Sequence, residues 1–212
     1  KIRRQKQAEK NGTYDPKSEE RFPFHEEDLK YKHIEIKHKP ITNAVIFFIM
    51  DVSGSMGKSK KFLARSFFFL LYQFIIFIAH TTDAKEVSED DFFQRGSSGG
   101  TFISSGLEKT LEIINERYSP SSWNLYAFHG SDGENWSEDN EKAKISMQKL
   151  IDICQLAGYV QIIPNGEKVY GEEMAKVFKP LISENFKVIN LSNKNDVWPQ
   201  FSKLFGGKYD LK

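Results

Sequence analysis

The sequence predicts an α/β fold: a doubly wound, mostly parallel sheet with helices on both faces, preceded by an N-terminal extension. Three observations predict it. Apolar runs of strand length alternate with helical patterns from Ala44 to Phe205, as in successive βαβ units. The runs Val45–Ile49 and Ile75–Ile78 are apolar at every position, which suits central strands covered on both faces. The first run stops at Asp51, and Ser53, Gly54, Ser55 and Gly57 follow before a helical pattern opens near Lys58. Strand, tight polar loop and helix in that order put the loop at the C-terminal edge of the sheet, where open α/β sheets bind ligands.

Residues 1–40 read as the extension and residues 41–212 as the main domain. Lys1 to Arg21 is polar and charged, with Asn11-Gly12 and Asp15-Pro16 as breakers. Lys1, Arg3, Arg4 and Lys6 suggest a nucleic-acid-binding arm, but acidic residues soon follow and no aromatic interleaves the basic ones. A solvated helix or tail is the better reading, and no nucleic-acid partner is expected. Phe22-Pro23-Phe24 and Leu29–Ile36 are expected to pack the extension against the main domain. His25, His33 and His38 lack a supporting Cys or carboxylate cluster and read as surface histidines.

In the main domain, strand Ala44–Met50 leads to helix Lys58–Phe74. Strand Ile75–His80 and a short strand Ala84–Val87 form a hairpin across Thr81–Asp83. The loop Gln94–Thr101 and helix Ser104–Tyr118 follow. Strand Asn124–His129 runs into Ser131-Asp132-Gly133. Helix Glu141–Ala157, strand Tyr159–Ile163, helix Glu172–Ile182, strand Phe186–Leu191 and a helix near Val197–Phe205 complete the pattern. The helix pattern meets the next strand at Phe74–Ile75 without a turn residue, although such connections normally take a few residues. A loop missing between these two residues is the expectation.

Composition narrows the function classes. A hydrophobic content of 39% supports a real core, and a formal net charge of +1 gives no overall bias towards polyanions. The single cysteine, Cys154, rules out an internal disulfide and reads as a small core residue. Phe62–Ala79 approaches the length of a membrane span, but it contains Arg65, Ser66 and Gln73 and reads as a buried helix joined to a buried strand. No apolar run follows the basic Lys1–Lys10, so no signal peptide is read. The expectation is a cytoplasmic protein with no membrane association.

Three oxygen-rich clusters carry the functional reading: Asp51 with Ser53 and Ser55, the Ser97–Thr101 loop, and Ser131-Asp132-Gly133. Alone, the last two are a flexible loop that caps a helix through Ser104 and an ordinary Asp-Gly turn. In the strand order 3-2-1-4-5-6, however, the first and fourth strands are neighbours across the switch point. Their ends and the Thr101 loop then converge on one crevice. Hydroxyl and carboxylate oxygens there suit a hard cation such as Mg²⁺ or Mn²⁺.

Asp51-x-Ser53-x-Ser55, Thr101 and Asp132-Gly133, in this order and strand–helix context, resemble the metal-ion-dependent adhesion site (MIDAS) of von Willebrand factor A (vWA) domains. The resemblance covers about Ile41 to Phe205. Met50–Gly57, Ala64–Phe69, His80–Val87, Gly99–Ser105 and His129–Trp136 are similar, more narrowly, to the bacterial YhbH/YeaH-type stress and sporulation proteins. The double glycine before Thr101 and the short chain preceding it depart from the vWA pattern. The resemblance implies a vWA/Rossmann-like sheet in which Ser53 and Ser55 ligate the metal directly. It implies that Thr101 does so directly or through water, and that Asp51 and Asp132 act through waters or hydrogen bonds to the hydroxyls. It also implies a protein partner that offers an acidic side chain to the metal. An AAA-type serine protein kinase is the candidate.

Enzyme readings fit less well. Gly57-Lys58-Ser59 resembles the end of a P-loop, but Val52 stands where the first glycine belongs. A nucleophile elbow at Ser55 has Ser53 in place of its first glycine, and no His follows Asp132. A metal-dependent hydrolase or phosphatase is the alternative. It would want more carboxylate or His ligands than the clusters supply. His80 and His129 lie at strand ends near the crevice, where either could serve as a base, but a structural hydrogen-bonding role is the better reading. The expectation is a binding module, not an enzyme.

Overall fold

The structure is a computed structural model that describes residues 1–17, 21–23, 43–68, 75–94, 99–167 and 173–205. The chain divides into two compact units, Lys1–Pro40 and Ile41–Lys212. In the first unit, helix α1 spans Ile2–Lys10 and buries no residue. The Arg4 guanidinium lies over the Phe22 ring at 5.6 Å, and Tyr14 meets that ring edge-on at 5.0 Å. Leu29–Ile36 and the three extension histidines lie outside the described residues, as does the Phe74–Ile75 junction.

The second unit is built on a six-stranded sheet of order β3-β2-β1-β4-β5-β6. The strands are β1 (Ala44–Asp51), β2 (Ile75–His80), β3 (Ala84–Val87), β4 (Asn124–Ser131), β5 (Leu156–Ile162) and β6 (Phe186–Leu191). The hairpin strands β2 and β3 are antiparallel, and the other neighbours are parallel. Asp51 is in register with His80 on one side, and Ile49 with His129 on the other. The C-terminal ends of β1, β2 and β4 therefore come out together. The fold is the doubly wound α/β sheet that the alternation of patterns predicts.

Successive residues of β1 serve opposite faces, as the strand period of two requires. Phe47 and Ile49 pack with α4 (Ile103–Arg117) and α5 (Asn140–Ile153), through residues such as Leu107 and Leu150. Phe48 and Met50 pack with α2 (Lys58–Phe68), α3 (Glu89–Gln94) and α7 (Val197–Leu204), through Leu63, Phe92 and Leu204. Each fully buried side chain of this size contributes about 1.5–3 kcal/mol relative to exposure. β1 is thereby held rigidly between two layers, and the loop that leaves it inherits that rigidity.

Several boundaries differ from the sequence reading. The helix expected to reach Ala157 ends at Ile153; Cys154 caps it in an extended conformation, and Gln155 N–H donates to the Leu125 carbonyl at 2.8 Å. That bond hooks the chain onto β4, so β5 starts at Leu156. Cys154 itself is buried, as expected, and burial pushes its thiol up to about 12. The helix expected over Glu172–Ile182 is α6 (Met174–Phe178) followed by a 3-10 turn, Lys179–Leu181. Pro180 lacks the N–H that a continuing α-helix needs. Helix α3 was not expected at all; its Phe92 is fully buried between Phe68 and Phe77.

Candidate metal centre

β1 ends in Asp51, whose carboxylate is fully buried. Its Oδ1 accepts the Ser53 backbone N–H at 2.8 Å. Its Oδ2 accepts two hydroxyls at 3.4 Å each, from Thr101 and from Ser131 at the end of β4. One carboxylate thus ties together the loop after β1, the Thr101 loop and β4. Val52 N–H donates to the His80 carbonyl, which extends the sheet by one step before the loop turns. Met56 N–H then bonds the Ser53 carbonyl at 3.1 Å, and α2 begins.

This turn brings the Ser53 and Ser55 hydroxyls to 3.1 Å from each other. Adjacent ligands on an octahedral Mg²⁺ with bonds of 2.0–2.1 Å stand about 2.9 Å apart. The serine pair therefore has the spacing of two neighbouring ligands. Both serines and Thr101 line a cleft of about 460 Å³, together with Gly100, Glu134 and Trp136. Among the described residues no group of three or more His, Cys, Asp or Glu is placed to share a metal ion. The set here is different in kind: three hydroxyls backed by the Asp51 carboxylate, with Asp132 close enough to act on it by charge, a donor set that fits a hard cation.

The carboxylates are not equivalent. Burial, then the nearby charge of Asp132, push the Asp51 carboxyl up to about 7, while the Ser53 and Ser131 hydrogen bonds pull it back. Asp132, also buried, accepts the Lys60 ammonium on Oδ2 at 3.0 Å and the Glu134 N–H on Oδ1 at 3.2 Å. The structure thus joins Asp51, Ser53, Ser55 and Thr101 directly, whereas Asp132 is held by Lys60 and not by the hydroxyls. Gly133 has φ +90°, so the Asp132-Gly133 turn needs its glycine.

The Thr101 loop is braced from the chain after β4. Trp136 N–H donates to the Thr101 carbonyl at 3.3 Å. A Cβ on Gly100 would lie 2.0 Å from the Trp136 Nε1, so this glycine makes room for the indole rather than for a bound group. Ser104 does not cap α4 as the loop reading expected. Instead Asn135 Oδ1 takes the Ile103 N–H at 3.0 Å and Asp139 takes the Ser104 N–H at 3.0 Å. The two histidines near the site are buried on the α4–α5 side, and their Nε2 atoms lie 2.7 Å apart. Burial lowers both; neither lines the cleft.

Residues that sequence reasoning missed had faint signals. Lys60 lies on the same helical stripe as Leu63, Ala64 and Phe67, so its position marks it as buried. Ser131 was quoted within its cluster but given no role; the β4 alternation extended by two residues turns it inward. Asn135 and Asp139 carry no signal above that of ordinary loop polar residues.

Residues 1–208 match the model of a family described as Protein of unknown function (DUF444). The chain belongs to the DUF444 family. A UPF0229 protein of Ruminiclostridium cellulolyticum is 53% identical over 220 residues, covering 96% of this chain and 55% of the relative. One from Clostridium perfringens strain 13 is 47% identical, with 84% of this chain and 47% of the relative covered. This DUF444 chain spans about half the length of the curated relatives it matches, and those relatives are bacterial. Among solved structures, manganese-loaded TRAP protein of Plasmodium vivax superposes with a TM-score of 0.54 at 12% identity, covering 77% of this chain and 73% of that one. The ArnB paralog VWA2 of Sulfolobus acidocaldarius gives 0.53 at 17% identity, with 79% and 46% covered. At these identities the likeness shows the fold, which is vWA-like.

Proposed function

We propose that this DUF444 chain carries a divalent-metal-dependent protein-binding module. Mg²⁺ or Mn²⁺ would be held by Ser53, Ser55 and Thr101, with Asp51 and Asp132 behind them. The observation that carries this reading is the serine pair, 3.1 Å apart above a buried Asp51 that also takes the Thr101 hydroxyl. Neutral hydroxyls leave a dication under-neutralised and able to take an acidic side chain from a partner. The cleft beside them is large enough for that side chain. Manganese named in the TRAP structure belongs to that protein, and supports the choice of ion only as an analogy.

The proposed setting is bacterial sporulation or stress signalling, with an AAA-type serine protein kinase as the candidate partner. Both rest on the resemblance of the motifs. The binding reading is preferred over a hydrolase because His80 and His129 bond each other in the core instead of facing the cleft. Among the described residues no helix is long and apolar enough to cross a membrane.

The test is a pull-down with purified kinase, run with Mg²⁺ and with EDTA. The expected result is capture in Mg²⁺ that is lost in EDTA and in Ser53→Ala with Ser55→Ala. Capture that ignores both changes would count against the reading.

A further inference from the structure

Lys60 is an odd residue for its place. It sits in the first turn of α2, 8% exposed, in a turn with no acidic residue. A helix N-terminus disfavours a cation, and burial disfavours it further. Its partners explain its presence: Asp132 Oδ2 at 3.0 Å and the half-exposed Glu167 at 3.3 Å. Lys60 therefore places a fixed positive charge on one of the two carboxylates of the metal centre.

We propose that Lys60 is a built-in counter-charge that lowers the intrinsic affinity of the site for a divalent cation. The proposal rests on the metal reading above. Lys60 offsets much of the Asp132 charge and Lys61 adds a positive charge near Asp51, so little negative charge is left beside the hydroxyls. A dication held by neutral oxygens with so little compensating charge is bound weakly and keeps its appetite for a further anion. The same ammonium repels the incoming ion through an interior where charges are poorly screened. Lys60 touches Asp132 and not the hydroxyls, so it is a positioning residue that acts through that carboxylate.

The test is Mn²⁺ binding to metal-stripped protein without partner, followed by the electron paramagnetic resonance of the free ion and by thermal melts with and without Mn²⁺. Wild type, Lys60→Gln, Lys60→Arg and Glu167→Gln are compared. Lys60→Gln should bind Mn²⁺ roughly tenfold tighter, because it removes a charge but can still bond Asp132. Lys60→Arg keeps the charge and should stay within about threefold of wild type. A folded Lys60→Gln with unchanged or weaker binding would overturn the proposal. Should Lys60→Gln fail to fold, Glu167→Gln decides. It leaves the whole Lys60 charge facing Asp132, so binding should weaken severalfold, and unchanged binding would overturn the proposal. Binding by none of the four at millimolar Mn²⁺ brings down the metal reading itself, and the role of Lys60 with it. Binding by wild type with unaltered variants removes only the role of Lys60.

Discussion

Thr101 Oγ1 donates to Asp51 Oδ2 over 3.4 Å. Well-formed O–H···O bonds run from about 2.5 to 3.0 Å. The contact is long, so a cation can replace it at small cost. A partner carboxylate that removes charge from the metal would favour the Thr101 hydroxyl as a ligand, and the loop would follow. A ligand shifts such an equilibrium only through its different affinity for the two states. Thr101→Ala should cost less than about 1 kcal/mol of stability, since it removes one weak hydrogen bond. It should weaken metal-dependent partner binding by about tenfold, which on the binding scale is about 1.4 kcal/mol. Melting curves and partner titrations in Mg²⁺ and EDTA check both parts; an unfolded variant would show that the residue is structural instead.

Asp51 makes the metal-free protein lose stability as pH rises from acid to neutral. Its folded carboxyl stands at about 7 against an ordinary 3.8. The folded state therefore holds this proton more tightly than the unfolded chain does. Stability from the group is fully present below the unfolded value and is lost as pH rises through the folded one. In EDTA, wild type should lose up to about 4 kcal/mol relative to Asp51→Asn between about pH 4 and pH 7. Urea unfolding of both proteins across that range measures the difference; parallel curves would contradict the environment assigned to Asp51.

The buried histidine pair acts in the opposite sense. Burial lowers His80 to about 4, and burial with the charge of His80 lowers His129 well below its ordinary value. Both are neutral in the fold, and among the described residues neither Nδ1 has a hydrogen-bond partner. A depressed value gives stability that is present above the unfolded 6.5 and is lost as pH falls through about 4. Replacing both by leucine should flatten the acid limb of the stability curve, whatever the variant does to stability at neutral pH. Acid titrations of the far-ultraviolet signal would read it.

Gly106 lets α4 lie against the strand ends. A Cβ there would come within 2.7 Å of His80 Cδ2 and of Ile49 Cγ2. Gly106→Ala should cost roughly 1–3 kcal/mol, because the close packing on both sides resists an added methyl. Gly99→Ala is the control: nothing lies within 4 Å of its Cβ position, and a change within about 0.5 kcal/mol is expected. Chemical denaturation of both variants tests the contrast.

The fold was legible because its signals are local. The apolar β1 and β2 and the abrupt stop at Asp51 mark central strands and a sheet edge, and the predicted strand order matches. The turn from α5 to β5 was hidden because Ile151, Cys154 and Leu156 read as a continuing apolar helical pattern. The switch of period there is set by a backbone bond to Leu125, a residue distant in sequence. Most of the oxygen set around Asp51 was also legible, since Asp51, Ser53 and Ser55 follow one another at short spacing and Ser131 ends the neighbouring strand; Thr101, 50 residues from Asp51, was legible only through the resemblance and the strand order. The Lys60–Asp132 pair was not, because the two are 72 residues apart and lysine in a basic run looks solvated. Gly100 was read as part of a flexible loop, while the structure uses it to admit the Trp136 indole.

The proposed hold of the hydroxyls after β1 on a divalent cation is tested most directly by anomalous diffraction from crystals of this chain soaked in millimolar Mn²⁺. A single strong peak is expected within bonding distance of Ser53 Oγ and Ser55 Oγ, absent after EDTA. No peak there, or manganese bound at Glu167 or Glu134 and not at the serines, would contradict it.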